Sequence, residues 1–385
     1  MIKVKKMAFS NPDYLSHQSF SDYFSGMKDP RRTGRGNHRY PLEEILFLCI
    51  SAVLSGMDDW TSISMFGDLK LPWLRQYFPY KHGIPSHDVL GKVFALLDPD
   101  EFRKSFSAWV NSIAELTGGQ VVAVDGKTLC GSGEKGVSKS AFHVVSAYAA
   151  DHRLCLGQEA VDAKSNEITA IPALLKMLAL KSCIVTIDAM GCQKSIAETI
   201  VNKEADYVLM VKDNQEELKE QIEKVFTLNP ATQTAITLDS GHGRIEKRTC
   251  EVISNLSFLD GAEDWKELKT IVKVLSERTD KKSGKQSLQT RYYISSLMAG
   301  PEVIGKAIRS HWSIENNLHW SLDVIFKEDS SLKKKGNSAL NYTIIAKMAL
   351  AMLEKDTKSK ISKPQKRIKA ALNDEFRCML LASYF

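Results

Sequence analysis

The sequence lacks the features that mark membrane, secreted or zinc-stabilised proteins. No apolar run in its 385 residues approaches the roughly 20 residues that a membrane span requires. The opening segment, MIKVKKMAFSNPDYL, has no apolar core, so we expect no signal peptide. The seven cysteines are scattered without any Cys-x-x-Cys pair, which argues against a disulfide framework and a structural zinc site. These absences predict a cytoplasmic protein with no membrane partner.

Positive charge is concentrated rather than spread along the chain. The net charge is +6, from 52 basic and 46 acidic residues. Residues 355–369 contain seven bases and one acid, so this segment alone matches the net charge. Smaller basic clusters occupy 28–39 and 333–335. Clustered bases suit a polyanion such as nucleic acid, and a solvated charged tail is the equally supported alternative.

Hydrophobic periodicity divides the chain into three regions. Residues 1–117 are predicted to form an all-helical N-terminal domain, with helical stretches at 40–57, 59–78 and 87–117. Residue Ser86 is placed to cap the last of these stretches. Residues from 118 onwards change to strand-like patterns.

The second region, 118–354, alternates strands with helices. Three strand-like runs precede a helix, a strand, a helix and a strand, at 120–125, 142–149, 153–161, 165–180, 183–188, 192–203 and 206–211. This order is that of a ribonuclease-H-like α/β domain. Renewed alternation predicts a β-strand insertion at about 232–298, followed by helices at 301–326 and 338–354. Residues 355–385 are then a basic C-terminal tail.

Two of the predicted strands end in an aspartate followed by small residues. They are VVAVDGKTLCGS, with Asp125, and CIVTIDAMGCQKS, with Asp188. Neighbouring strands would aim both carboxylates from one sheet edge. Taken singly, Asp-Gly is an ordinary turn pair and Asp188 can simply cap a helix.

A third carboxylate lies in the 301–326 helical stretch. Regular α-helical spacing places Glu315 in the middle of an apolar stripe with Ile308 and Leu322. A buried carboxylate needs a counter-charge. The pattern leaves two alternatives: an ion pair with Arg309 or a lysine, or a metal shared with the two aspartates.

Three carboxylates around a cleft suit hard divalent cations, Mg²⁺ or Mn²⁺. Two such ions roughly 4 Å apart can activate the attacking oxygen and stabilise the leaving oxygen of a phosphodiester. On this interpretation Gly126 lets a DNA backbone come close and Lys127 contacts a phosphate.

The same helix offers a competing metal site. His311, Glu315 and His319 are spaced four apart, as in a zinc site, but that interpretation leaves the two aspartates unused. We therefore expect both histidines to flank the metal site or contact DNA, with partly buried structural histidines as the alternative. Trp312 and Trp320 are expected in the core more than in base stacking.

Taken together, these segments resemble the H-repeat-associated family of bacterial insertion-sequence transposases, which use an Asp-Asp-Glu triad. The similar stretches follow the family's order over nearly the whole chain, at 29–56, 123–132, 143–175, 184–200, 205–215, 241–248, 291–297 and 309–331. The resemblance implies that Asp125, Asp188 and Glu315 form the triad. It also implies cleavage of double-stranded DNA at element ends, then attack of the freed 3′-hydroxyl on target DNA by a homodimer.

The chain departs from related transposases around the glutamate. These often have tyrosine, arginine and lysine at −7, −4 and +7, where this chain has Ile308, His311 and Leu322. Arg309 and His311 are our candidates for the missing phosphate contacts. Cys130 also stands where similar proteins often have a basic residue.

Further candidate DNA contacts lie after the last strand and in the insertion. Lys212 follows a strand with Asp213 and Asn214, where Asn214 capping the next helix is the alternative. Arg244 in SGHGRIEKR is another candidate, with a solvated hairpin as the alternative. The basic stretch RRTGRGNHR is assigned to end recognition. Two other functions remain open: an inactive DNA-binding relic of a mobile element, and a metal-dependent nuclease without strand transfer.

Overall fold

The structure of the chain is a computed structural model that describes residues 17–31, 39–114, 116–133, 140–161, 166–231, 233–241 and 243–385. Residues 32–38 of the basic stretch RRTGRGNHR lie outside the described residues, as does His242 of SGHGRIEKR. Among the described helices, none is both long and apolar enough to cross a membrane.

The chain packs as two compact units. The first takes in the described residues up to Ile113, together with Thr128–His143 and Asn317–Phe385. The second consists of Ala114–Lys127 and Val144–Asn316. The predicted domain limits are 1–117, 118–354 and 355–385. That these segments fold or function independently stays a prediction.

Helices alone make up the described secondary structure before residue 114. They are α1 (His17–Phe24), α2 (Leu42–Leu54), α3 (Trp60–Leu74), α4 (His87–Leu96) and α5 (Pro99–Ile113). Helix α2 is buried along nearly its whole length and forms the centre of this core. The predicted helical N-terminal region is therefore confirmed.

The predicted helix over 87–117 is divided in two. Helix α4 ends at Leu96 and α5 begins at Pro99, because proline cannot donate to a preceding turn but fits the first helical position. Ser86 occupies the N-cap position of α4 as predicted, yet its side chain makes no capping hydrogen bond.

The second unit is built on one sheet of nine strands. In chain order they are β1 (Val121–Thr128), β2 (His143–Ala149), β3 (Leu154–Val161), β4 (Ile184–Ile187), β5 (Asp206–Val211), β6 (Gln233–Gly241), β7 (Arg244–Ile253), β8 (Thr270–Asp280) and β9 (Gln286–Ser295). The strand order across the sheet is β3-β2-β1-β4-β5-β9-β8-β7-β6. The helices α6 (Glu167–Met177), α7 (Lys194–Asn202) and α8 (Glu216–Leu228) lie between strands in sequence. This arrangement confirms the predicted α/β class with ribonuclease-H-like order.

The centre of the sheet is parallel and buried. Strand β4 runs parallel to both β1 and β5, and its four residues are all buried. Such strands are expected to be apolar because both faces are covered. In chain order, β2 and β3 lie on one side of β1, whereas β4 and β5 lie on its other side. Ligands of open α/β sheets bind beyond the carboxyl ends of the strands where the order changes side in this way.

The predicted β-insertion extends this sheet. Strands β6 to β9 form an antiparallel meander, and β9 joins the sheet by pairing antiparallel with β5. Strand β6 lies at the sheet edge.

Helices return after the sheet. The predicted helix over 301–326 is interrupted: α9 (Pro301–Ser313) leads into a π-helical segment (Ile314–His319) and then α10 (Trp320–Val324). The chain ends with α11 (Ser338–Lys355), α12 (Lys363–Leu372) and α13 (Asp374–Ala382).

The C-terminal segment predicted to be a basic tail forms part of the first unit's core. Lys366 and Arg367 are 7% and 5% exposed. The Lys366 ammonium donates to the Leu353 carbonyl at 2.9 Å, and the Arg367 guanidinium donates to the Val53 carbonyl at 2.8 Å. These two bases bind backbone carbonyls, so they do not face solvent.

Candidate active site

Asp125 lies on β1, which pairs with β4 in the parallel part of the second unit's sheet. Strand β1 continues through Gly126 and Lys127 to Thr128, so the Asp-Gly pair is extended backbone and not a turn. The four residues before Asp125 are buried, and Asp125 itself is partly buried. The strand thus brings a carboxylate to the edge of the core.

Asp188 stands beside Asp125 at the same edge of the sheet. Val124 of β1 pairs with Ile187 of β4 in parallel register, so the residue that follows each of them is an aspartate, Asp125 within β1 and Asp188 directly after β4. The Asp188 side chain also accepts a hydrogen bond from the Met190 amide at 3.1 Å, which caps a short 3-10 turn. The capping alternative is therefore confirmed, and it coexists with a place in the cleft.

Glu315 is exposed, which contradicts the predicted position in the middle of an apolar stripe. The side chains that are buried here are Ile314 and Leu318, at 0% and 1% exposure. A π-helix makes wider turns than the 3.6-residue helix on which the prediction relied, so it rotates each following side chain. Because the Glu315 carboxylate is exposed, burial does not require it to have an ion-pair partner or a metal.

The three carboxylates line one cleft of about 380 Å³ in the second unit. Burial, together with the negative charges of Asp188 and Glu315, raises the pKa of Asp125 to about 7. The negative charges of Asp188 and Glu315 thus act on Asp125 across the cleft. A divalent cation would relieve this repulsion.

The donor set fits a hard divalent cation in chemistry. Carboxylate oxygens are the ligands that Mg²⁺ prefers, and this cation keeps several waters, so a loose carboxylate set can hold it. Among the described residues, no group of three or more His, Cys, Asp or Glu side chains is arranged to hold a metal ion. This holds for Asp125, Asp188 and Glu315 as it does for the zinc alternative of His311, Glu315 and His319.

His311 lines the cleft, and a hydrogen bond to strand β4 holds its imidazole ring. Its Nδ1 atom lies 3.1 Å from the Thr186 hydroxyl oxygen on β4. Burial lowers the pKa of His311, and the nearby Asp188 charge partly offsets this effect. His319 ends the π-helical segment and belongs to the first unit.

The other predicted DNA contacts are distributed over different surfaces of the second unit. Lys212 is exposed and lines the cleft, whereas Lys127 is partly buried two residues beyond Asp125 on β1. Arg309 lines a neighbouring cavity of about 560 Å³, and Arg244 is exposed at the start of β7. Of the predicted DNA contacts, Lys212 and His311 line the cleft together with the carboxylates.

Trp312 and Arg291 lie at the wall between the two cavities, a position that the sequence did not predict for either residue. Trp312 lines both cavities, and the Arg291 guanidinium lies 5.1 Å from the centre of its ring. Arg291 belongs to no motif in the sequence, because only the pairing of β9 beside β5 brings it here.

Trp320 is 53% exposed, so the expectation of a core position for it is wrong. It follows the π-helical segment, which shifts the helical phase.

Comparison with known proteins identifies the family. A family model described as "DDE_Tnp_1-associated" matches residues 21–110, and the model "Transposase DDE domain" matches residues 116–352. The chain belongs to the transposase DDE-domain family. The aspartates and glutamate of the cleft all lie within the stretch that the second model matches.

Relatives of this DDE-family chain are similar over nearly its full length. It is 42% identical over 378 residues to "Putative transposase YncI" of Escherichia coli O157:H7, covering 96% of each chain. It is 38% identical over 370 residues to "H repeat-associated putative transposase YhhI" of Escherichia coli (strain K12), covering 94% of this chain and 97% of the relative. The resemblance to the H-repeat-associated family is therefore confirmed.

A solved transposase structure also aligns with the DDE-family chain. It is the cryo-EM structure of the piggyBac transposase synaptic complex with hairpin DNA, at a TM-score of 0.45 and 12% identity. The alignment covers 95% of this chain and 78% of that one.

Proposed function

We propose that this protein is a DNA transposase that cleaves the ends of an insertion sequence and joins them to target DNA. The observation that carries this proposal is the convergence of Asp125, Asp188 and Glu315 on one cleft. Two of these side chains leave adjacent parallel strands, and the third leaves a π-helical turn. π-Helical turns inside α-helices frequently occur at functional sites.

Asp125, Asp188 and Glu315 are the catalytic residues of the proposal and would hold Mg²⁺ or Mn²⁺, two ions in all. When bound, these ions supply activation of the attacking oxygen and stabilisation of the leaving oxygen. Because both cleavage and joining are in-line phosphoryl transfers, one such cleft serves both steps.

The chain's own cations bind and orient the DNA strand in this proposal. Lys212 faces the cleft and is assigned to the phosphate nearest the carboxylates. Lys127, Arg244, Arg309, His311 and His319 remain proposed DNA contacts. Together they account for binding of double-stranded DNA, both element end and target. A homodimer on DNA would bring two ends together.

The carboxylate assignment is tested by cleavage of a labelled duplex that carries the element's own end, with Mg²⁺ or Mn²⁺. The expected result is metal-dependent nicking at the end, lost in Asp125→Asn, Asp188→Asn and Glu315→Gln. The matched control is Glu198→Gln, an exposed carboxylate on α7 outside the cleft, which should cleave like the wild type.

Other outcomes distinguish the alternative functions. DNA binding without any cleavage by the wild type would indicate an inactive relic of a mobile element. Cleavage without joining to a target duplex would indicate a nuclease. Cleavage that survives Glu315→Gln would remove Glu315 from the triad.

A further inference from the structure

The turn that carries Asp188 is tied to the neighbouring strand–helix connection by a side-chain hydrogen bond. The Asn214 side-chain amide donates to the Ala189 carbonyl at 2.7 Å. Asn214 follows strand β5, whereas Ala189 directly follows Asp188 after β4. This bond therefore links the carboxyl ends of two adjacent parallel strands.

A second bond fixes the far end of the same turn. The Gln215 side-chain amide donates to the Cys192 carbonyl at 2.9 Å. Consecutive residues after β5 thus contact both ends of the segment Ala189–Cys192. Within this segment the Gly191 backbone packs closely on strand β4, because a Cβ atom added to Gly191 would lie 2.2 Å from the Ile187 side chain.

Helix capping does not explain Asn214. The N-cap residue of α8 is Gln215, and it makes no capping hydrogen bond with its side chain. The alternative that Asn214 caps the next helix is therefore wrong. Its side-chain amide instead donates across the sheet edge to the turn that carries Asp188.

The consequence for Asp188 follows from the local geometry. The Asp188 carboxylate accepts from the Met190 amide, which belongs to the turn that Asn214 and Gln215 hold. If this turn moves, the Met190 amide that orients the Asp188 carboxylate moves with it. Side chains that orient a metal-binding carboxylate typically change metal affinity or activity by about 10- to 100-fold when removed.

We propose that Asn214 is a positioning residue, with Gln215 as its partner, that holds the Asp188 turn in the geometry needed for metal binding. The proposal rests on the proposed function, because it assigns the metal to the cleft. Neither residue contacts the reacting atoms in this scheme.

The first test is amide hydrogen exchange of the metal-free protein, followed on peptides that cover residues 188–193. Asn214→Ala and Gln215→Ala are each expected to speed exchange there by about tenfold, the loss of one typical hydrogen bond. The matched control is Asn229→Ala, whose side chain donates to the Val225 carbonyl at 3.2 Å at the end of α8, away from the turn. This control should leave exchange at 188–193 unchanged.

The second test is Mn²⁺ binding by isothermal titration calorimetry on the same variants. Affinity is expected to fall at least about tenfold in Asn214→Ala, with partial recovery in Asn214→Gln, which keeps the amide donor. Thermal unfolding of each variant identifies any that fail to fold, and Gln215→Ala then tests the turn through its independent bond.

The outcomes separate this inference from the proposed function. Unchanged exchange at 188–193 in both alanine variants would overturn the positioning role alone. Faster exchange with wild-type Mn²⁺ affinity would also overturn it, because the turn would then be irrelevant to the site. A wild-type protein that binds no Mn²⁺ would overturn the proposed metal chemistry and this role together.

Discussion

The imidazole Nδ1 of His311 lies 3.1 Å from the hydroxyl oxygen of Thr186, and this hydrogen bond joins α9 to β4 just before Asp188. Thr186 is 2% exposed, so its hydroxyl has little access to water. Helix α9 and the strand that precedes Asp188 are thus connected through a buried hydroxyl and a partly buried imidazole. The same helix leads directly into the π-helical segment with Glu315.

Removing the Thr186 hydroxyl is expected to destabilise the protein. Thr186→Val keeps the shape but leaves a polar atom of His311 without its partner, which typically costs about 1–3 kcal/mol of unfolding free energy. The control is Thr199→Val, because the Thr199 hydroxyl donates to the Ser195 carbonyl within its own helix α7. We expect the control to change stability by less than about 0.5 kcal/mol. Equal losses in urea unfolding would contradict the buried bond.

The π-helical phase makes opposite predictions for two adjacent residues. Ile314→Ala is expected to cost about 2–5 kcal/mol because Ile314 is fully buried. Glu315→Ala is expected to cost less than about 0.5 kcal/mol because Glu315 is exposed. Chemical denaturation of the two variants measures the difference. The reverse ranking would restore a regular α-helix through this segment.

Asp125 is expected to make the stability of the metal-free protein dependent on pH. Burial, with the charges of Asp188 and Glu315, raises its pKa to about 7, whereas an unfolded aspartate titrates near 3.9. Between these values the folded protein binds the extra proton, so stability falls as pH rises through this window.

Asp125→Asn removes this penalty and should stabilise the metal-free protein. The gain is expected to be larger at pH 8 than at pH 5 by about 2–3 kcal/mol, at about 1.4 kcal/mol for each pKa unit. Urea unfolding at the two pH values measures it, with Glu198→Gln as a control that should show no such trend. A gain that is independent of pH would contradict the raised pKa.

The three consecutive lysines 333–335 are expected to contribute unequally to stability. Lys333 is 8% exposed, its ammonium lies 3.7 Å from the centre of the Tyr342 ring, and it donates to the Asp58 carbonyl. Lys333→Ala should cost about 2 kcal/mol through lost packing and cation–π attraction. The exposed Lys335→Ala should be neutral within about 0.5 kcal/mol in thermal unfolding. Equal effects would show that Lys333 is not buried.

The sequence by itself determined the order of strands and helices and the identity of the candidate triad. Apolar runs such as Val121–Val124 are local patterns that persist whatever packs against them. Both aspartates follow apolar strand-like runs, so the sequence made Asp125 and Asp188 candidates for one sheet edge, and the parallel register of β1 and β4 places them side by side.

Tertiary structure alone decided the features that depend on partners distant in sequence. The π-helical turn overrides the regular period that misplaced Glu315, and no local pattern in the sequence announces it. The bases Lys333 and Arg367 are buried because distant carbonyls and aromatic rings satisfy them. The bond from Asn214 to Ala189 likewise exists only because β4 and β5 are neighbours in the sheet.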